Sequence, residues 1–224
     1  MANSVLFEEQ VEIPFVHSLA DFRDWAASES FPERGRIDFI TGRIEVDMSP
    51  EDLFSHGTLK TEIVRALGNI VKAAGMGQLF SDCTRVSSPD ADLSVEPDIV
   101  FIAEESLDSG RIRLVPKASL EPGRYVELEG PADLIVEIVS DSSATKDTQR
   151  LPAAYWRAGV REFWLADARG PALLFQIYHA GPSAYQPAQA DSEGFQYSTV
   201  LAKWFRLTRQ SASHGRWTYD LQEK

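Results

Sequence analysis

The stretch Leu134-Ile135-Val136-Glu137-Ile138-Val139 is apolar at five of its six positions, on both faces of any strand it could form. A strand of that kind has to be covered on both sides, and such strands belong to sheets flanked by other layers. Downstream lies a helical segment closing on Ala153-Ala154-Tyr155-Trp156-Arg157-Ala158-Gly159, then the apolar run Phe163-Trp164-Leu165-Ala166. The order strand, helix, strand predicts two parallel strands joined by a right-handed crossover. These elements alone set the class as α/β, or α+β with a central mixed sheet flanked by helices.

The rest of the chain fills in around that unit. Leu19, Phe22 and Trp25–Ala26 share one side of a short helix, with Ser18 placed to cap it and Asp21 at the capping-box position. Two alternating runs around Thr41-Gly42, within residues 36–49, read as a β-hairpin. The longest helix follows Pro50, with Leu59, Ile63, Leu67, Ile70 and Val71 on one face and Gly75 as its C-terminal cap. Strands are expected within 77–88 and 94–103, and residues 104–132 read as an irregular excursion. The segments Ala172–Ala180 and Glu193–Leu201 read as antiparallel edge strands. The expected organisation is an N-terminal helical and extended segment (1–35), a core (36–180) and a C-terminal strand and tail packing on it (181–224).

Glu137 carries the first chemical signal. An ionised carboxylate in a buried strand is costly unless it is paired, hydrogen-bonded or bound to a cation. Asp98 stands at the start of a second apolar strand, in Val95-Glu96-Pro97-Asp98-Ile99-Val100-Phe101-Ile102. Alone, each has an ordinary reading: Glu137 as the partner of an arginine, Asp98 as a turn residue at the start of a strand. Two core strands with one carboxylate each point instead to convergence on a hard divalent cation, which removes their mutual repulsion.

Four segments, in order, resemble the Uma2 family of restriction endonuclease-like proteins, within the wider PD-(D/E)XK nuclease superfamily. They are Met48-Ser49-Pro50 with His56, then Glu96-Pro97-Asp98, then Asp133 to Ser140, and Tyr155 with Ala158 to Leu165. The resemblance implies a restriction endonuclease-like core that hydrolyses DNA phosphodiester bonds with Mg²⁺ (or Mn²⁺). Asp98, Glu137 and the backbone carbonyl of Ile138 would be the metal ligands, and a homodimer is the expected assembly. One residue departs from the pattern. Val139 stands where the motif has lysine, and Leu151 stands where the family carries its displaced basic residue, four positions before Tyr155. Lys146 is the replacement expected to reach the site, from a loop ahead of a helix that Pro152 opens; Arg150 is its neighbour but a poor base, since it stays protonated. His56 is a further candidate catalytic residue, to assist water or contact a phosphate, and Glu62 a second carboxylate on the same helix.

Charge argues the other way. The net charge of −12 disfavours indiscriminate binding to nucleic acid, which needs Lys and Arg against phosphates. Two alternatives therefore stand beside the nuclease: a catalytically degenerate nuclease-fold binding or assembly module, and a metal-dependent hydrolase of small phosphate esters. No stretch approaches the ~18 apolar residues that span a bilayer, the acidic N-terminus lacks the order of a secretion signal, and a single cysteine excludes an internal disulfide, so the cytoplasm is the expected location. Cys83 and Tyr155 read as buried packing residues. The aromatic and basic tail 201–224 reads as a docking arm covering a sheet edge or a partner subunit.

Overall fold

The computed structural model describes residues 13–32, 35–117 and 122–224, so part of the N-terminal segment, including the stretch read for a secretion signal, lies outside the described residues. Helix α1 (Leu19–Ala26) is capped by Ser18, whose Oγ accepts from Asp21 N, while the Asp21 carboxylate accepts from His17 N. The hairpin β1 (Arg36–Ile40) and β2 (Arg43–Asp47) turns through Thr41 and Gly42, both at positive φ, as a two-residue turn between twisted strands requires. A π-helical turn, Leu53–Thr58, runs straight into α2 (Leu59–Ala74), which ends on left-handed Gly75.

Strands β3 (Gly77–Ser81), β4 (Arg85–Ser88), β5 (Leu93–Val95) and β6 (Ile99–Ala103) come next, then the short helix α3 (Glu104–Asp108). The excursion expected to be irregular holds two more strands, β7 (Arg113–Pro116) and β8 (Tyr125–Glu129). The strand–helix–strand unit is β9 (Leu134–Ile138), a second π-helical turn (Lys146–Arg150) leading into α4 (Leu151–Ala158), and β10 (Glu162–Asp167). Its two strands are parallel, in the register Glu162↔Leu134 to Ala166↔Ile138. The chain closes with β11 (Leu174–Ala180), β12 (Tyr185–Pro187), β13 (Gln196–Ser198), β14 (Lys203–Ser211) and β15 (Trp217–Glu223).

Among the described residues the strands form two six-stranded mixed sheets and a three-stranded one. The first runs β2-β1-β5-β4-β8-β7 and the second β12-β11-β10-β9-β6-β3. The fold class is α+β with a restriction endonuclease-like core, and strand alternation explains its layers. In β6 and β9, Ile99, Phe101, Leu134 and Val136 face α2 and share a core with Leu59, Ile63 and Leu67. The alternate residues Val100, Ile102 and Ile135 face the first sheet, meeting Val86, Leu93 and Val95 together with Tyr155 of α4. Helix α1 covers the outer face of the first sheet, with Phe22 and Trp25 on Ile37 and Phe39. Each fully buried side chain of this kind contributes about 1.5–3 kcal/mol.

Strand β13 pairs with β14 in the three-stranded sheet and does not extend the large one. The tail forms the β14–β15 hairpin, whose Phe205, Leu207 and Leu221 complete the core around α2. Among the described residues no helix is long and apolar enough to cross a membrane.

Two chain crossings between the large sheets meet at one rim. Between β5 and β6 the chain passes from the first sheet to the second through Glu96-Pro97-Asp98. Between β3 and β4 it passes back through Asp82-Cys83-Thr84, where Asp82 and Cys83 both have positive φ, and Asp82 N donates to Asp98 O at 3.2 Å. Cys83, expected in the core, is exposed on this crossing.

Candidate functional site

The β6–β9 ladder pairs Ile99 with Val136, so the same register carried one residue further sets Asp98 across from Glu137. Strand alternation puts both on the face of the second sheet that meets the first. Both are essentially excluded from solvent, at 0% and 1% exposure, yet their surroundings differ sharply.

Asp98 is surrounded by donors. Its Oδ1 accepts from Arg36 at 2.9 Å and lies 3.4 Å from Lys60 Nζ; its Oδ2 accepts from Ile138 N at 2.8 Å and lies 3.4 Å from His56 Nε2. Burial alone would raise its pKa, but the His56 hydrogen bond and the charges of Arg36, His56 and Lys60 outweigh it and hold the carboxyl well below the ordinary range. Glu137 has the opposite environment. Its Oε1 accepts from the Tyr155 hydroxyl, and its Oε2 is buried with no hydrogen-bond partner. Burial, then repulsion from Asp98 and Asp147, pushes its pKa up to about 8 against the weaker pull of Arg36 and Lys146.

The remaining candidates separate. Lys146 does fold inward, though from the π-helical turn and not from a loop, and its Nζ meets Asp38 Oδ2 at 2.8 Å. Arg150 pairs with Glu45. His56 lies between Glu51 and Asp98; burial lowers its pKa, but hydrogen bonds to both carboxylates prevail and raise it to about 9. Glu62 stands away from the site, binding Arg65 and accepting from Leu221 N. Tyr155 is core, as its helical face implies, and in addition the hydrogen-bond partner of Glu137.

Arg36, Asp38, Glu51 and Lys60 are site residues that motif reading did not identify. Lys60 had a signal: it sits in phase with Ile63, Leu67 and Val71 on the apolar stripe of α2, and a lysine there has to find counter-charges. Asp38 had a weaker one. On β1 it shares with Arg36 and Ile40 a face that passes for a solvent face until a second sheet is known to cover it.

Arg36, Asp38, Glu51, His56 and Lys146 line a cleft at the rim between the sheets, in two lobes that share Arg36, Asp47, Ser49 and Ser142, and Asp98 and Glu137 lie buried behind it. The larger, about 360 Å³, is walled by Asp38, Lys146 and Arg150; the smaller, about 190 Å³, by Glu51, His56 and Asp82. The cleft is polar and held by charge pairs. The residues fit a hard cation: Glu137 Oε2 is a buried acceptor without a partner, and Asp98 carries full negative charge across from it.

The proton that Glu137 holds has a measurable consequence. Its folded pKa, about 8, lies above the carboxylate's ordinary 4.5, and that of His56, about 9, lies above 6.5. The Glu137 contribution is therefore complete below pH 4.5 and gone above 8; that of His56 is complete below 6.5 and gone above 9. The melting temperature of metal-free protein is expected to fall by several degrees from pH 6 to pH 9 in a fluorimetric scan. Glu137→Gln should retain only the His56 share of that decline, which runs from pH 6.5 to pH 9.

A mixed α+β fold with an acidic pair at the rim of its central sheet defines a protein of the restriction endonuclease-like class. The chain belongs to the Uma2 family, described as “Putative restriction endonuclease”, which it matches over residues 19–210. A crystal structure described as a “putative nuclease belonging to DUF820” from Anabaena variabilis has a similar fold, with a TM-score of 0.57 and 17% identity, covering 83% of this chain and 90% of that one. No curated protein matches the sequence.

Proposed function

We propose that this chain is a divalent-metal-dependent endonuclease that hydrolyses DNA phosphodiester bonds, with Asp98, Glu137 and the Ile138 carbonyl holding the cation. The observation that carries this reading is the partnerless, buried Glu137 Oε2 set across from an ionised Asp98. A bound Mg²⁺ or Mn²⁺ would lower the pKa of a water and offset charge developing on phosphorus. The chain's own groups do the rest. Tyr155 holds Glu137 in place, and the Ile138 amide orients Asp98. Arg36, which lines both lobes, and Lys146 supply fixed positive charge where a phosphate would lie, in place of the lysine missing at positions 139 and 151. His56 supports Asp98 from the α2 side.

One observation favours a second reading, a nuclease-fold binding module without catalysis: Asp98 is already neutralised by Arg36, Lys60 and His56. Incubation of purified protein with supercoiled plasmid separates the two. The endonuclease converts it to nicked and linear forms with Mg²⁺ or Mn²⁺, does not do so with EDTA, and loses the activity in Glu137→Gln. Nicking that survives in Glu137→Gln belongs to a contaminant, and its absence from the wild type leaves the binding module.

A further inference from the structure

The π-helical turn Lys146–Arg150 serves two hollows. Lys146 and Arg150 line the cleft, whereas Gln149 and, one and two turns further on, Ala153 and Trp156 line a separate cavity of about 470 Å³ between α4 and the strands β10–β12. That volume falls within the range of about 300–1,000 Å³ typical of small-molecule sites. The cavity is built of rings and held open. Phe163, fully buried, forms its floor, with Tyr178 stacked on it at 5.8 Å and 24° and Tyr185 beside it at 5.8 Å. The Trp156 indole donates to Gly181 O and the Tyr185 hydroxyl to Val160 O, both at 2.9 Å, so the walls are fixed before anything enters.

Its polar groups are uncommitted. Among the described residues the Tyr178 hydroxyl, the Gln149 amide and the Arg157 guanidinium have no hydrogen-bond or ion-pair partner, and no carboxylate lines the cavity although the chain's net charge is −12. Arg150, held by Glu45 in the cleft, and Arg157 at the cavity are seven residues apart, which puts them on one side of the helix about 10 Å from each other along its axis. The two cations mark a path from the cleft to the cavity. Aromatic faces of this kind stack nucleobases of any sequence, and an arginine beside them takes the phosphate.

We propose that this cavity is a nucleotide subsite: an unpaired nucleotide of the strand whose backbone lies in the cleft sets its base on Trp156 and Tyr178 and a phosphate on Arg157. The Tyr178 hydroxyl and the Gln149 amide offer hydrogen bonds to the edge of that base. Taking a base out of its stack costs least in a single strand or at a mismatch, so the subsite gives the cleft a preference for such substrates. The inference rests on the proposed action on DNA but is tested without cleavage.

The experiment is photocrosslinking of a single-stranded deoxyoligonucleotide carrying 5-iodouracil to the full chain in EDTA. Adducts are mapped by mass spectrometry, and affinity is measured across a salt series. The wild type is expected to give its main adduct on Trp156 or Tyr178. Arg157→Ala, an exposed change that leaves the fold alone, should lower the slope of log affinity against log salt by about 0.7, the share of one phosphate contact on a single strand. Trp156→Leu, which removes the stacking face, should weaken binding by about tenfold or more. An oligonucleotide that does not bind, adducts confined to residues outside the cavity, or an unchanged slope in Arg157→Ala would each overturn the proposal. So would thymidine monophosphate that blocks the adduct at the oligonucleotide's own concentration, since the cavity would then serve a free nucleotide. The endonuclease stands or falls separately. Cavity adducts without plasmid nicking keep the subsite and remove the catalysis, whereas Mg²⁺-dependent nicking without cavity adducts does the reverse.

Discussion

Glu137→Gln is expected to fold as stably as the wild type while losing cleavage, whereas Asp98→Asn loses both. The two carboxylates of the motif are not equivalent in the metal-free chain. Glu137, at about 8, is mostly protonated at neutral pH, so the neutral amide of Gln mimics its resting state and still accepts from Tyr155. Its stability should lie within about 1 kcal/mol of the wild type. Asp98 is the shared counter-charge of Arg36, Lys60 and His56. Removing one partner of a buried charge assembly leaves the others uncompensated and costs about 3–5 kcal/mol. For a domain of this size that lowers the melting temperature by about 10 °C. Cleavage should fall by about 10³-fold or more in both variants, several kcal/mol of lost charge stabilisation at 1.36 kcal/mol per tenfold. Thermal scans and plasmid nicking on the same preparations check the pattern. Equal destabilisation of the two variants would mean that Glu137, too, is ionised in the resting protein.

That asymmetry could not be read from the motif, which treats the pair as alike. The positions of the carboxylates were legible, because an acidic residue inside an apolar strand, or at its mouth, is conspicuous, and strand alternation puts the two on one face. Their ionisation states depend on Arg36, Lys60 and His56, brought from β1 and from the start of α2, and no local spacing connects these to Asp98. Lys146 was expected at the site; it folds inward and binds Asp38, a residue on a hairpin whose outward-looking face proved to be an inner one.

Much the same division runs through the fold. The parallel β9–α4–β10 unit, the β1–β2 hairpin, the Ser18 cap and the Gly75 stop are local patterns with local causes, and all are present. The second sheet is not a local pattern. Residues 77–88 read as strand with no break marked, yet Asp82 and Cys83 take left-handed conformations, and the chain changes sheets there. The strands β7 and β8 escaped notice because their alternation is written in charges: Arg113 faces Glu129 across the ladder and pairs with it.

Glu162→Leu is expected to be the most disruptive single change away from the cleft. Glu162 is fully buried at the start of β10, and its carboxylate gathers the connection from β13 to β14. Ser198 Oγ donates to Oε1 at 2.6 Å, Thr199 N and Thr199 Oγ1 to Oε2 at 2.8 and 3.0 Å, Val200 N to Oε2 at 3.3 Å, and the Trp164 indole to Oε1 at 2.7 Å. Leucine fills the volume and satisfies none of these donors. Each one left buried without a partner costs about 1–3 kcal/mol, and even with relaxation the total should reach about 3–5 kcal/mol. Glu162→Gln keeps one acceptor oxygen and should lose less, so calorimetric unfolding of the pair distinguishes a hydrogen-bond anchor from simple volume. The damage should not stop at β10. The three-stranded sheet that this anchor secures presses on α2, where Leu221 N donates to Glu62, and the first turn of α2 carries Lys60, with His56 in the π-helical turn just ahead of it. Loosening it should therefore weaken the His56 and Lys60 contacts to Asp98 more than Tyr155's hold on Glu137, which lies on the other face of the second sheet from α2.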